Sequence, residues 1–437
     1  MIKYIKILLA LVLCLDCIPV SASSKLPTIQ AEAAILMDAK TGTILYEKNA
    51  YETYYPASIT KLLTAYLAIE HLNPNDIITF SANAVYSIEA GSTHIAMDEG
   101  EQLLVDQALH ALLLNSANEV ANGLAEAVSG TTANFADLMT SKAYEFGATS
   151  TNFVNPHGLH NNNHYTTPYD MALITKAIYQ TPYLLEIMAT PTYQIHSTNQ
   201  THETIYLSQN HSLMNPIRDS SRYRKDVILG KTGYTSQAGN TLVTVGKQGE
   251  IDLIVVIMKG NINTYYNDTT ALLDYGFSSF SSLNLSSPDD VITVAPIYSI
   301  KSGQLFEIAS CNISTTDTVT AIISAGVYKN DLDIIMSIDD NLTLGSKVGD
   351  IVGTISYLYD NKTIASSELA ISEINFLSAA KSYDFPNNDK VFPMLQFNTP
   401  IMVLGCSCII FLTVIHKKRK RRHIYISRIG SLKRKKY

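Results

Sequence analysis

Strand-forming runs stand at both ends of a long helical stretch, and this limits the architectures open to the chain. Ala33–Met37 and Thr43–Glu47 are short β-rich runs joined by the turn-forming Asp38-Ala39-Lys40-Thr41-Gly42, so they read as a hairpin. Helical patterns dominate from Ser58 to about Tyr179. Strand-like runs return at Val227–Leu229, Thr241–Gly246 and Leu253–Met258, followed by a helix-like Tyr265–Phe277. Strands, then helices, then strands again predict an α+β fold. One domain, 28–278, would hold an antiparallel sheet flanked by helices and closed by its first and last segments.

Composition shifts at Ser279–Asp290, rich in Ser, Asn and Asp, which reads as a domain boundary. Beyond it, short β-rich runs recur between turn signals: Val291–Val294, Thr318–Ser324, Ile334–Ile338 and Ile351–Tyr357. They predict a small all-β domain over 290–378, and 379–398 reads as a juxtamembrane linker. With 46% hydrophobic and 16% charged residues, the chain can build packed cores, which excludes wholesale disorder.

The two ends carry targeting signals. Residues 1–22 have Lys3 and Lys6, an apolar run Ile7–Leu15, and small residues before Ser23, the three parts of a secretory signal peptide. Asp16 breaks the run too early for a membrane-spanning helix, which needs about 20 apolar residues. Residues 399–415 are uncharged and mostly apolar, and a basic tail, 416–437, follows. This is the pattern of a single-pass membrane anchor with a cytoplasmic C-terminus and an exported catalytic part. Residues 417–437 hold eleven Lys and Arg and no acid. The other 416 residues therefore carry −18 against −7 for the whole chain, which argues against nucleic-acid binding outside the cytoplasm. Cys14 and Cys17 lie in the signal segment, and Cys406 and Cys408 in the anchor. Cys311 alone remains outside, so no internal disulfide is expected there.

Three short elements carry the chemistry. In Ser58-Ile59-Thr60-Lys61, the apolar Ile59, Leu62, Leu63 and Tyr66 fall at helical spacing, and Ser58 and Lys61 share the neighbouring face one turn apart. A serine hydroxyl is a weak nucleophile without a base in reach, and an amine buried against an apolar stripe loses its proton readily enough to serve. Ser116-Ala117-Asn118 lies between an apolar helix Leu103–Leu114 and a helix Glu119–Val128, offering a hydroxyl and an amide. Lys231-Thr232-Gly233 follows the strand Val227–Leu229, where a lysine and a hydroxyl can bind a carboxylate and a glycine lets a ligand lie close. Each pattern alone is weak. Ser378-Ala379-Ala380-Lys381 and Lys40-Thr41-Gly42 repeat two of them, in the linker and in the hairpin turn, where neither context suits the chemistry.

Taken together, in that order and context, the three elements make the chain resemble the low-molecular-mass penicillin-binding proteins that act as serine-type D-alanyl-D-alanine carboxypeptidases. Surrounding segments such as Tyr55–Glu70, Leu113–Glu126, Phe153–Ala172 and Gly230–Gly239 extend the likeness. The resemblance implies a β-lactamase/transpeptidase-like domain followed by the β domain and the anchor. It also implies peptidoglycan stem peptides ending in D-Ala-D-Ala as substrate, β-lactams as covalent inhibitors, and no cofactor or metal. Carried over, Ser58 would be the nucleophile, Lys61 its base and Ser116 a proton relay. Asn118 would bind the substrate backbone. Lys231, Thr232 and Gly233 would form the carboxylate-binding strand, with the backbone N–H groups of Ser58 and Tyr234 as oxyanion hole.

His157, His160 and His164 could be read as zinc ligands, but they fall in an Asn-rich segment with no helix to align them, so loop histidines near the cleft are the reading adopted. A β-lactamase would share the three elements but needs a deacylating base, and no convincing loop for one lies between Asn118 and Lys231. A catalytically dead wall-binding protein would have no reason to keep Ser58, Lys61, Ser116 and Lys231.

Overall fold

The first and last strand-like runs do meet in one sheet. The structure is a computed structural model, and it describes residues 26–301, 304–339, 342–343 and 345–382. β1 (Ala33–Asp38) and β2 (Ile44–Lys48) form the expected hairpin. Its turn is fixed by Asp38, whose Oδ1 accepts from the N–H of Lys40 and Thr41 and from the Thr41 hydroxyl. A 3₁₀ turn, Ala57–Thr60, leads into α1 (Lys61–His71). Ile59, Leu62 and Leu63 are fully buried there, as their spacing requires, and Tyr66 lies half-buried edge-on to Phe146.

The stretch to Tyr179 is mostly helical but not wholly so. β3 (Ile77–Thr79) precedes α2 (Ala82–Tyr86) and pairs with β4 (Gln102–Leu104). The apolar run expected as a helix from Leu103 therefore starts as strand. It continues as α3 (Val105–His110) and a π-helical turn, Ala111–Asn115. Then come α4 (Asn118–Ser129), α5 (Thr132–Glu145), α6 (Pro168–Tyr179) and α7 (Pro182–Ala189). Thr131 and Thr167 cap α5 and α6 by accepting from the N–H groups of Asn134 and Asp170. A small hairpin, β5 (Thr192–Ile195) with β6 (Ile205–Ser208), follows.

β7 (Val227–Thr235), β8 (Gly239–Gln248) and β9 (Ile251–Gly260) complete an antiparallel sheet in the order β2-β1-β9-β8-β7. The strand expected at Val227–Leu229 runs on through Lys231-Thr232-Gly233, which thus lies within an edge strand, not after one. α8 (Tyr265–Ser279) packs on the sheet. Successive residues of β9 show helices on both faces: Asp252 accepts from Tyr179 of α6, whereas Leu253 lies against Gly276 of α8.

Beyond α8 the described chain is β apart from a 3₁₀ turn, Lys329–Asp331: β10 (Phe280–Ser286), β11 (Thr293–Lys301), β12 (Gln304–Thr315), β13 (Val319–Ser324), β14 (Asp333–Ile338), β15 (Ile351–Tyr359) and β16 (Lys362–Ser382). β10 pairs with β13, and the other five take the order β11-β12-β16-β15-β14. The Ser- and Asn-rich segment read as a boundary is therefore largely strand. Its Leu285 is buried, and its small polar residues are paired along β13. The described chain divides into two units, residues 26–297 with 309–376, and residues 298–301 and 304–308 with 377–382. In the second, the described residues 298–301, 304–308 and 377–382 are strand, so Ser378-Ala379-Ala380-Lys381 lies in β16 and not on a helix. Residues 379–382 of the expected linker are strand as well. The signal segment 1–22, the rest of 379–398, the anchor 399–415 and the tail 416–437 lie outside the described residues. Among the described residues no helix is long and apolar enough to cross a membrane. Cys311 is buried and unpaired.

Candidate active site

Three elements converge on Ser58. It sits in the 3₁₀ turn, and Lys61, first residue of α1, brings its amine Nζ 3.1 Å from the Ser58 hydroxyl oxygen. The turn is held from two sides. Thr241 of β8 donates to the carbonyl of Pro56 at 2.8 Å, and Thr64, one turn into α1, donates to Pro156 O at 2.6 Å. Ala57, just before Ser58, adopts a left-handed φ of 51°, and Ser116 one of 64°. Such backbone costs a non-glycine residue about 1 kcal/mol or more and concentrates at functional sites.

Ser116 follows the π-helical turn, and Asn118 opens α4, both buried. A widened helical turn is itself a common mark of a functional position. Asn118 Oδ1 accepts from Lys61 Nζ at 2.6 Å, and the Ser116 hydroxyl accepts from Lys231 Nζ at 3.0 Å. One chain of contacts thus runs Ser58, Lys61, Asn118, while a second amine, Lys231, addresses Ser116. Lys231 also donates to Thr232 O at 2.9 Å.

Gly233 shows why β7 needs a glycine there. A Cβ at this position would overlap Thr241 Oγ1 and stand 2.8 Å from Ser58 N and 3.1 Å from Ile59 N. The strand therefore passes directly over the N–H groups of Ser58 and Ile59. Tyr234, next in β7, is largely exposed.

Electrostatically the site is unusual in burying two lysines with, among the described residues, no carboxylate hydrogen-bonded to either. Burial holds the Lys61 amine well below the ordinary lysine range, and the nearby Lys231 charge pushes it further, while Glu119 pulls in the opposite direction. Burial lowers Lys231 to about 7. Lys61 has three partners: Ser58 Oγ, Asn118 Oδ1 and the carbonyl of His157 at 2.6 Å. A neutral amine has two N–H donors and one lone pair. The two short carbonyl-type acceptors take the donors and leave the lone pair facing the Ser58 hydroxyl.

The three histidines do not converge as metal ligands. His157 Nδ1 accepts from Leu159 N, and His160 packs edge-on to Tyr55. His164 Nδ1 accepts from Val154 N while its Nε2 lies 2.9 Å from Thr60 Oγ1. Burial first, then the Lys61 charge, pushes His164 down to about 3, so its neutral ring buttresses the turn. Among the described residues no group of three or more His, Cys, Asp or Glu is placed to hold a metal.

Sequence reading passed over Glu119. It is buried next to Asn118, and its Oε1 accepts from Ile95 N at 2.6 Å, while Asn118 N donates to Thr93 O at 2.9 Å. The segment around residues 93–97 is thereby tied to the Ser116–Asn118 element, and burial raises the Glu119 pKa. The only signal in the sequence was its position beside Asn118. The His157 carbonyl left none at all.

A serine beside a buried lysine, a second serine and lysine pair, and an edge strand over the N–H groups of Ser58 and Ile59 are the parts that a serine acyl-transfer enzyme of the transpeptidase-like fold brings together. A family model for D-alanyl-D-alanine carboxypeptidases matches residues 20–261, and the chain belongs to that family of serine peptidases. The D-alanyl-D-alanine carboxypeptidase DacF of Bacillus subtilis is 28% identical over 347 residues, 79% of this chain and 85% of that protein. DacB2 of Mycobacterium tuberculosis is 30% identical over 264 residues, 59% of this chain and 86% of that one. Crystal structures of penicillin binding protein 5 from Haemophilus influenzae give a TM-score of 0.68 at 26% identity, covering 80% of this chain and 99% of that one.

Proposed function

We propose that the chain is a serine D-alanyl-D-alanine carboxypeptidase that removes the terminal D-alanine from peptidoglycan pentapeptides through an acyl-enzyme and is inhibited covalently by β-lactams. The observation that carries this reading is the buried Lys61 amine, 3.1 Å from Ser58 Oγ, with its other two positions occupied by short acceptors. Lys61 takes the Ser58 proton as Oγ attacks the carbonyl between the two D-alanines. The N–H groups of Ser58 and Tyr234 stabilise the oxyanion. The C–N bond breaks, the leaving amine of D-alanine receives its proton through Ser116, and water then hydrolyses the ester. Asn118 holds the peptide backbone, and Lys231 and Thr232 hold the terminal carboxylate, with Gly233 giving room.

Domain 28–278 performs this chemistry, followed by a small β-rich region, 290–378. The signal segment, the apolar run 399–415 and the basic residues after it support export and single-pass anchoring, with the catalytic part outside the cytoplasm. The test is incubation of the protein with a D-Ala-D-Ala pentapeptide and with fluorescent penicillin. Free D-alanine and a stable covalent band, both lost in Ser58→Ala, are expected. Rapid penicillin turnover would instead mark a β-lactamase, and absence of any band a non-catalytic protein.

A further inference from the structure

A cavity of about 340 Å³ opens where the end of α2, residues 88–98 and the first turn of α4 meet, and none of the residues assigned to catalysis lines it. The carboxylates of Glu89, Asp98 and Glu119 stand in its wall with no lysine or arginine, while Val85, Ile88 and Met97 supply apolar surface. Glu89 and Asp98 are exposed, and among the described residues neither carboxylate makes a hydrogen bond or an ion pair. His94, the one basic side chain of the wall, accepts at Nδ1 from Ala96 N and is ion-paired with no acid among the described residues.

Glu119 gives the cavity its chemistry. The residue is 1% exposed, and its Oε1 accepts from Ile95 N at 2.6 Å. Its Oε2 is buried too, and among the described residues it has no hydrogen-bond partner. A buried carboxylate oxygen left unpaired is costly, and native proteins answer such atoms with a donor. Burial raises the Glu119 pKa, while the N–H groups of Ile95, Glu119 and Met97 and the ring of His94 favour the charged form. A cationic donor arriving from the cavity would tip that balance toward the carboxylate and fill the place at Oε2.

We propose that this cavity binds an aliphatic polyamine, one ammonium donating to Glu119 Oε2 and another held by Glu89 and Asp98, with the alkyl stem along Val85, Ile88 and Met97. Among the described residues no group of three or more His, Cys, Asp or Glu is placed to hold a metal ion, so the acids suit charges spaced along a chain. The apolar surface points the same way, because a hard divalent cation takes oxygen ligands only. The site adjoins the catalytic element without belonging to it: Glu119 follows Asn118, whose N–H donates to Thr93 O. A bound polyamine would therefore hold residues 93–97 against α4. The inference stands apart from the carboxypeptidase reading, since it uses none of that reading's residues.

The test is calorimetric titration of the full-length chain with spermidine, with butylamine and Mg²⁺ as comparisons at matched ionic strength. One spermidine should bind per chain, with a Kd about tenfold or more below that of either comparison, as charge-assisted contacts at two ends imply. Glu89→Gln combined with Asp98→Asn, both exposed positions, should weaken spermidine about tenfold. Glu119→Gln, where its melting temperature shows it folded, should weaken it at least as much. Asp289→Asn combined with Asp333→Asn removes the same charge from exposed acids of the β-rich region and should leave the Kd within about twofold. Absence of saturable binding, several equivalent spermidines per chain, or equal weakening by the two double variants would reduce the effect to general attraction toward an acidic chain and overturn the site.

Discussion

The tripeptide Lys-Thr-Gly occurs twice in this chain, and the two copies are put to different uses. Lys40 is 37% exposed at its side chain, donates to Glu250 O, and lies 3.4 Å from the Asp252 carboxylate. Thr41 spends its hydroxyl on Asp38, and Gly42 supplies the φ of 79° that the turn requires. Lys231 is 1% exposed, has hydroxyl and carbonyl partners only among the described residues, and faces Ser116 from within a strand. Gly233 has no unusual φ; it is a glycine because Ser58 N and Thr241 leave no room for a Cβ. Identical sequence thus gives a solvated turn in one place and a buried wall of the candidate site in the other. Burial and opposing elements make the difference, not residue type.

Lys231→Met should have the largest effect on this contrast, lowering kcat/KM for D-alanine release by about a hundredfold or more, as loss of a buried charge-assisted contact implies. It should also move the acid limb of acylation. The Lys231 charge, held below about pH 7, depresses the Lys61 pKa, so removing it lets Lys61 keep its proton to higher pH and shifts the limb upward. A limb that moves down would separate the two lysines. Stability carries its own sign. Unfolded lysine holds its proton to about 10.4, so the unfolded wild type binds more protons between about pH 7 and 10, and wild-type stability should rise across that window. The rise should shrink in the variant, as read from melting temperature against pH.

Gly233→Ala comes next. The added methyl must displace Thr241 or the 58–59 turn, with an expected cost of about 1–3 kcal/mol in stability and at least tenfold in acylation rate. An unchanged rate of penicillin labelling would show that β7 does not press on the Ser58 turn. Lys40→Ala should do least to the chemistry, leaving acylation within twofold of wild type, while stability falls by about 1–2 kcal/mol because the Asp252 carboxylate it faces is buried. A large loss there would erase the contrast between the two copies.

Much of the fold was legible because it depends on local pattern. The β1–β2 hairpin, the buried stripe of Ile59, Leu62 and Leu63, and the closure of the sheet by β7, β8 and β9 all followed from periodicity and turn residues. The failures lie where distant contacts override local preference. β4 takes Leu103 and Leu104 out of an apolar run that reads as helix, because β3 lies opposite. β10 is a strand despite its serines, because β13 pairs with it. The candidate site was legible in its hydroxyls, amide and amines, which carry motif spacing. The acceptor that completes the Lys61 environment, the His157 carbonyl, lies 96 residues away and belongs to the backbone, which any residue type could supply. Glu119 was hidden similarly, since its role depends on the distant Ile95 N–H.

The most direct test of the account is site-resolved acylation. Wild type and Lys61→Met, shown by melting temperature to be folded, would be treated with a β-lactam and digested, and the modified peptide located by mass spectrometry. The account predicts the adduct on Ser58 in wild type and an acylation rate at least a thousandfold lower in Lys61→Met. An adduct on another residue, or undiminished acylation of Ser58 without the lysine, would contradict it.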